Sequence, residues 1–174
     1  MTVDALRRRR PEALEDVLIA HGRELQAVAF LILRDRADAE DVVAETLITA
    51  FHKAGSIRDE SALRAWLIRV ATNKALSLRR SQARVVQLHV IPEPTGGDHG
   101  PSSSDRVVLM AGLDALPPRT RAAVVLRYFA DLPVEEVASV LGRSPNTIKT
   151  QLREALIMLR QHFAEPSAPE ARRA

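Results

Sequence analysis

Along most of the chain, apolar residues recur at intervals of three and four, the spacing that places them on one face of an α-helix. Residues 12–33 carry the longest such pattern, and residues 34–53 and 62–84 carry two more. The sequence GSIRDES, at 55–61, separates the last two and is typical of a turn. The patterns therefore predict three packed helices, preceded by a basic, frayed leader over residues 1–11.

The helical pattern is lost between residues 85 and 104, where prolines, glycines and three consecutive serines predict a flexible linker. It resumes over 105–164, in a series of shorter apolar patterns. Residues 165–174 are polar and contain prolines, which predicts a disordered tail. The sequence thus predicts an all-α fold of two small helical domains, 12–84 and 105–164, joined by that linker.

The second half ends, over residues 132–163, in the pattern of a short helix, a tight turn and a longer helix. Gly142 interrupts the first apolar stripe, while Ser144 and Pro145 stand where an N-cap and a first helical residue belong. Two helices that cross closely in this way predict a helix-turn-helix, whose second helix can enter the major groove of DNA. An ordinary helical hairpin with a solvated basic face fits the same spacing.

The distribution of charge adds a second nucleic-acid signal, because six basic residues and no acidic residue occur between 61 and 84. A helix whose charged residues are all basic is expected to contact the phosphates of a nucleic acid. Asn73 is a weak helix former whose amide could instead hydrogen-bond a base edge. The alternative is a basic helix that only faces solvent.

An acidic cluster occurs in the preceding segment, where Asp38, Asp41 and Glu45 lie at offsets of three and four on one helical face. Neither a histidine, a glycine-rich loop nor a second carboxylate cluster accompanies them, so acid–base or metal chemistry is not supported. Two interpretations remain open. The cluster is either a solvated face near a helix N-terminus or a docking face for a basic partner.

Composition narrows the class of protein. The net charge is only +3, so the placement of charge is more informative than its sum. With no cysteine, scattered histidines and no phosphate-binding or nucleophile motif, the sequence predicts no enzyme, no metal site and no cofactor. No apolar run approaches the ~20 residues of a membrane span, and no signal core follows the basic leader. The prediction is a cytoplasmic protein without membrane insertion.

Two long stretches also resemble a known family, in the same order. Region two of the extracytoplasmic-function sigma factors is similar to residues 38–80, DAEDVVAETLITAFHKAGSIRDESALRAWLIRVATNKALSLRR. Region four of the same family is similar to residues 116–160, LPPRTRAAVVLRYFADLPVEEVASVLGRSPNTIKTQLREALIMLR. The resemblance extends over about 12–164, and it implies a promoter-specificity subunit of bacterial RNA polymerase.

The resemblance implies a role for each charged surface. The acidic face of Asp38, Asp41 and Glu45 would dock on the clamp helices of the largest polymerase subunit. The loop at 54–61 and the basic helix after it would capture the melted non-template strand of the minus-ten element, with DNA-contacting residues Ser56, Ile57, Arg58, Arg69, Asn73, Lys74, Arg79 and Arg80. The helix-turn-helix would read the minus-thirty-five element as duplex DNA, with Arg143, Ser144, Asn146, Lys149, Thr150, Gln151, Arg153 and Glu154 nearest the bases.

The implied partners are core RNA polymerase and promoter DNA, with the protein joining the nucleoid during initiation. A separate anti-sigma protein is the usual restraint on members of the family. No cofactor is implied.

At four positions the chain departs from what is common in the family. Ala44 stands where a glutamine is common, which is expected to weaken polymerase docking. Gln151, Glu154 and Leu156 stand where arginines are common, and fewer cations are expected to lower sequence-independent DNA affinity. Because glutamate can accept from cytosine and glutamine can pair with adenine, an unusual promoter element is expected.

Two alternatives of other classes share parts of these patterns. A stand-alone helix-turn-helix regulator would use residues 12–84 to dimerise and would bind a palindromic duplex without polymerase. A helical enzyme would need a site that the sequence does not contain.

Overall fold

The computed structural model describes residues 2–88 and 104–164. Within these ranges the chain forms eight α-helices and no strand, which confirms the predicted all-α class. Residues 89–103 of the predicted linker (85–104) and the predicted tail at 165–174 lie outside the described residues, whereas residues 85–88 and 104 belong to helices.

The first half contains four helices and two 3₁₀ turns. Its elements are α1 (Thr2–Arg7), α2 (Glu12–Leu33), α3 (Arg36–Lys53), the 3₁₀ turns Ala54–Ser56 and Glu60–Ala62, and α4 (Leu63–Leu88). The bounds of α2 agree with the prediction, whereas α3 begins later because the Asp35 side chain caps it, accepting from the Asp38 amide at 2.9 Å. The α4 helix continues four residues past the predicted end, through a stretch without glycine or proline.

The prediction of a frayed leader was wrong, because residues 2–7 form α1. Val3 and Leu6 of this helix are buried and belong to the hydrophobic core. Burying side chains of this kind contributes roughly 1.5–3 kcal/mol each, enough to hold a short helix that would be unstable alone.

The second half contains the remaining four helices. Its elements are α5 (Ser104–Ala115), α6 (Pro118–Val124), a π-helical turn (Val125–Phe129), α7 (Val134–Leu141) and α8 (Pro145–Ala164). The π turn closes with a hydrogen bond from the Ala130 amide to the Val125 carbonyl, at 3.0 Å. It contains Leu126, which is fully buried, and it packs against α2 and α7.

The two halves share one hydrophobic core and pack against each other. The polar contacts that join them include Arg34 Nε to Asp114 Oδ1 at 2.9 Å, Arg64 Nη2 to the Ala130 carbonyl at 2.7 Å, and Arg69 Nη2 to Ser139 Oγ at 2.8 Å. The contacts bring α2 and α4 of the first half against α6 and α7 of the second.

A buried cation lies at the same boundary. Arg121 is only 3% exposed, and its guanidinium donates to the carbonyls of Ile32, Asp114 and Leu116. Desolvation lowers the pKa of Arg121, while the Asp114 carboxylate, 3.5 Å away, opposes that shift. A buried charge needs such partners, so this cluster fixes the end of α2 against α5 and α6.

Candidate nucleic-acid interface

The turn between α7 and α8 has the geometry that the sequence predicts. Gly142 adopts the left-handed conformation with φ of 63°, and the Arg143 amide donates to the Ala138 carbonyl at 2.9 Å. Ser144 Oγ accepts from the Thr147 amide at 3.1 Å, which makes Ser144 the cap of α8. Since Ile148 is fully buried against the neighbouring helices, α8 is held with its opposite face outward.

That outward face carries the residues predicted to lie nearest the bases. All but one are exposed: Arg143, Ser144, Asn146, Lys149, Thr150, Arg153 and Glu154. Gln151 is half-buried and donates from Nε2 to Thr120 Oγ1 at 3.1 Å. The face therefore offers hydrogen-bond donors, acceptors and cations on one accessible helix, as base-edge recognition requires.

Two further residues of this surface escaped sequence reasoning. Arg119 and Thr120, at the start of α6, line an open depression together with Arg143, Asn146 and Glu154 of the helix-turn-helix. Their position directly after two consecutive prolines was the available signal, because that pair fixes where α6 begins. Among the described residues, none of the charged groups lining the depression forms an ion pair.

The basic residues predicted for single-strand binding on α4 differ in accessibility. Asn73 and Arg80 are exposed, as is Arg69, whose guanidinium contacts Ser139. Arg79 is half-buried and donates to the Leu33 carbonyl at 3.4 Å. Lys74 Nζ lies 2.9 Å from the Glu45 carboxylate, so it is already paired in this conformation.

Some residues of the loop that precedes α4 are exposed, and others are buried in the core. Ser56 and Arg58 are exposed, and Ser56 Oγ donates to the Lys53 carbonyl at 2.7 Å. Ile57, predicted to contact DNA, is fully buried, so its side chain packs in the core instead. Asp59 caps the second 3₁₀ turn, and its pKa is lowered chiefly by the hydrogen bond from the Ser61 hydroxyl.

The acidic residues of α3 lie beside this basic surface. Asp41 and Glu45 are exposed, and Asp38 is half-buried, with its Oδ2 accepting from Gln82 Nε2 at 2.6 Å. Ala44, one of the four departures from the family pattern, is exposed on the same helix. The Glu45–Lys74 ion pair makes the predicted polymerase-docking face and the predicted strand-binding face direct neighbours.

Neither a metal centre nor a membrane span emerges from this geometry. Over residues 2–88 and 104–164, acidic and histidine side chains form no group of three that could hold a metal ion. No helix in those ranges is long and apolar enough to cross a bilayer.

Comparison with known proteins gives two family matches. The family described as Sigma-70 region 2 matches residues 18–85, and Sigma-70, region 4 matches residues 106–159. The first match contains the acidic and basic helices, and the second contains the helix-turn-helix.

Individual relatives agree with these matches. RNA polymerase sigma factor SigV of Bacillus subtilis is 30% identical over 144 residues, which are 80% of this chain and 84% of that protein. RNA polymerase sigma-E factor of Streptomyces coelicolor is 31% identical over 150 residues, 86% of this chain and 81% of that protein. The sigma factor RpoE of Bartonella quintana, solved with the anti-sigma factor NepR, superposes with a TM-score of 0.73 at 26% identity, covering 86% of this chain and 95% of RpoE.

Proposed function

Since this chain belongs to the sigma-70 family, among the extracytoplasmic-function sigma factors, we propose that it binds core RNA polymerase and directs it to promoters. Its role is to recognise two promoter elements, to open the DNA and to allow transcription to start. A stand-alone regulator is not favoured, because the relatives match both halves of the chain and are named as sigma factors.

One observation supports this proposal most strongly. The chain combines an exposed, polar α8 in a helix-turn-helix with a separate basic helix, α4, next to an acidic face on α3. A protein that only binds duplex DNA needs the first feature alone, whereas a promoter-opening subunit needs all three. We assign residues 12–84 to the polymerase-docking and minus-ten domain, and residues 105–164 to the minus-thirty-five domain.

For the minus-thirty-five element, we propose that α8 enters the major groove with its N-terminal turns. Asn146 and Thr150 then lie closest to base edges, and Arg153 and Glu154 reach a guanine and a cytosine respectively. The remaining exposed residues, with Arg119, hold phosphates. Because Glu154 is an anion on this face, the element it selects is expected to differ from one read by arginine.

For the minus-ten element, we propose that the loop at 54–61 receives a base flipped out of the stack. Flipping costs on the order of a few kcal/mol, which the loop and nearby cations must offset. Ser56 and Arg58 are the exposed candidates in the loop, with Ile57 acting as its anchor in the core. Arg69, Asn73, Lys74, Arg79 and Arg80 are assigned to the strand and its phosphates.

For polymerase docking, we propose the face formed by Asp38, Asp41 and Glu45. Two of the three carboxylates are exposed, and the face has the sign that a basic surface on the clamp helices would attract.

We further propose that the protein acts in the cytoplasm, joins the nucleoid during initiation, catalyses no reaction itself and requires no cofactor. Restraint by an anti-sigma protein is proposed from the relative that was solved with one.

Selection of promoters from a random DNA library tests the function directly. Core polymerase mixed with this protein should enrich duplexes that carry two conserved blocks at a fixed spacing, whereas core polymerase alone should enrich none. If the protein alone enriches a palindrome and polymerase adds nothing, the stand-alone regulator is the correct assignment.

A further inference from the structure

Helix α1 lies against the loop at 54–61 and contacts both halves of that loop. Arg7, at the C-terminal end of α1, donates from Nη2 to the Ile57 carbonyl at 2.6 Å and to the Arg58 carbonyl at 3.0 Å. One guanidinium nitrogen thus fixes two consecutive peptide groups, next to the exposed Arg58 side chain. These are hydrogen bonds from a charged donor, which are stronger than neutral ones.

In the second attachment, the loop supplies the acceptor and the start of α1 supplies the donors. Glu60 accepts from the Thr2 amide through Oε1 at 3.1 Å and from the Val3 amide through Oε2 at 3.0 Å. Free amides at a helix start need acceptors, and a carboxylate also suits the positive end of the helix dipole. The hydrogen bond from the Val3 amide is the main reason that the pKa of Glu60 lies below its usual value.

Both α1 and the loop also contribute buried apolar residues. Val3 and Leu6 of α1 and Ile57 of the loop are buried in the same core cluster. The inner side of the loop is therefore held by α1, while Ser56 and Arg58 remain exposed on the outer side.

We propose that α1 is a positioning element for the DNA-reading loop, with Arg7 and Glu60 as its positioning residues. The inference rests on the proposed function, in which this loop receives the flipped base. A loop already held in its binding shape loses less conformational entropy when the base enters, so affinity for the strand rises without any contact from α1 to DNA.

Replacing Arg7 by alanine tests the inference, with Arg8→Ala as the matched control. Both variants remove one positive charge from the same helix end. Arg8 is exposed, and within the described residues its side chain forms no hydrogen bond or ion pair. A general loss of attraction to DNA would therefore affect both variants, whereas a loss of loop positioning would affect Arg7→Ala alone.

The first measurement is the affinity of reconstituted holoenzyme for a fork-junction promoter with a single-stranded minus-ten region. The same DNA with an abasic site at the flipped position is the reference. Removing two charge-assisted hydrogen bonds should lower the affinity of Arg7→Ala for the intact fork by about tenfold. Its preference for the intact base over the abasic site should shrink, while Arg8→Ala keeps the wild-type preference.

The second measurement is hydrogen exchange in the free protein, which requires no DNA. The Ile57 and Ala62 amides, which donate to Ala54 and Asp59, should exchange faster in Arg7→Ala than in Arg8→Ala. Amides of α8 should be unchanged. Glu60→Gln, which removes one acceptor from the α1 cap, should produce a smaller change of the same kind.

The outcomes separate this inference from the proposed function. If wild-type holoenzyme does not bind the fork at all, the proposed function is wrong. If wild type binds and Arg7→Ala behaves as Arg8→Ala in both measurements, the positioning role is overturned. A parallel loss of core-polymerase, minus-thirty-five and minus-ten affinity in Arg7→Ala would also overturn it, because α1 would then support the whole fold. Arg7→Lys, which keeps the charge, should fall between wild type and alanine.

Discussion

At the scale of single residues, adjacent positions on one helix differ in burial and therefore in role. Ile148 is fully buried and fixes α8, while Lys149 beside it is exposed on the outward face. Substituting the buried residue removes a contact with the core, whereas substituting the exposed one changes only what the helix offers to a ligand. Arg153, exposed in the middle of the proposed reading face, is suited to test which kind of DNA contact that face makes.

Arg153→Ala should weaken binding to the preferred minus-thirty-five duplex by about 1–3 kcal/mol, because a good contact from arginine to a base contributes about that much. The measurement is the affinity of holoenzyme for the preferred duplex and for duplexes substituted at single base pairs. Equal loss on every sequence would show that Arg153 contacts only phosphate.

Glu60 supplies a pH-dependent prediction. Its pKa is lowered from an ordinary value of 4.5, chiefly by the Val3 amide, so the charged form is the one stabilised by folding. The contribution is complete above the ordinary value and is lost as pH falls through the lowered pKa. Protection of the Thr2 and Val3 amides, measured as the ratio of the intrinsic exchange rate to the observed rate at the same pH, should fall over that acidic range. If Glu60→Gln shows the same fall in protection with pH, another group is responsible.

At the scale of elements, the sequence predicts what is periodic and misses what depends on contacts across the chain. The bounds of α2 and the turn at Gly142 follow from apolar spacing and from residues with special backbone preferences. The sequence does not predict helix α1, because its apolar signal consists only of Val3 and Leu6 and is followed by four consecutive arginines.

The same distinction applies to the proposed binding residues: the sequence predicts the exposure of those on a periodic helix but not of those in a turn or in long-range contacts. The exposed face of α8 could be predicted, because the buried stripe of a helix defines its opposite side. Ile57 could not be placed, since a turn-like segment has no period to say which side chains point inward. The Lys74–Glu45 and Arg69–Ser139 contacts also leave no trace in the sequence, since they join residues 29 and 70 positions apart.

The acidic face of α3 makes a prediction at this scale. Asp41→Arg combined with Glu45→Arg should abolish binding to core polymerase, because it reverses the sign of the docking face and places a cation beside Lys74. Helix content should not change. The matched control is Glu15→Arg with Asp16→Arg, an equal charge reversal at exposed positions of α2. Unchanged polymerase binding by the α3 variant would disprove the docking face.

At the scale of the whole molecule, we infer from the proposed function that the packed halves separate when the protein binds a promoter. The minus-ten and minus-thirty-five elements lie roughly 25 base pairs apart, and at 3.4 Å per base pair the span is about 85 Å. Halves that touch through Arg69 and Ser139 cannot cover that span. Arg69 is also a proposed strand-binding residue, so the contact must break before it binds DNA.

Asp114→Arg should favour the separated state. The substitution removes the carboxylate that pairs with Arg34 and Arg121, and adds a third cation where one is already buried. The radius of gyration from solution X-ray scattering should rise relative to wild type and to Glu135→Arg, a charge reversal at an exposed position of the same half. An unchanged radius would show that this ion-pair cluster does not hold the halves together.

We propose above all that this protein gives core RNA polymerase the ability to open and transcribe particular promoters. Runoff transcription on a library-selected promoter, with permanganate detection of unpaired thymines, measures both steps in one reaction. We predict a discrete transcript and reactive thymines in the minus-ten region only when protein and core polymerase are both present. The absence of transcript and of thymine reactivity above the level of core polymerase alone would contradict this function.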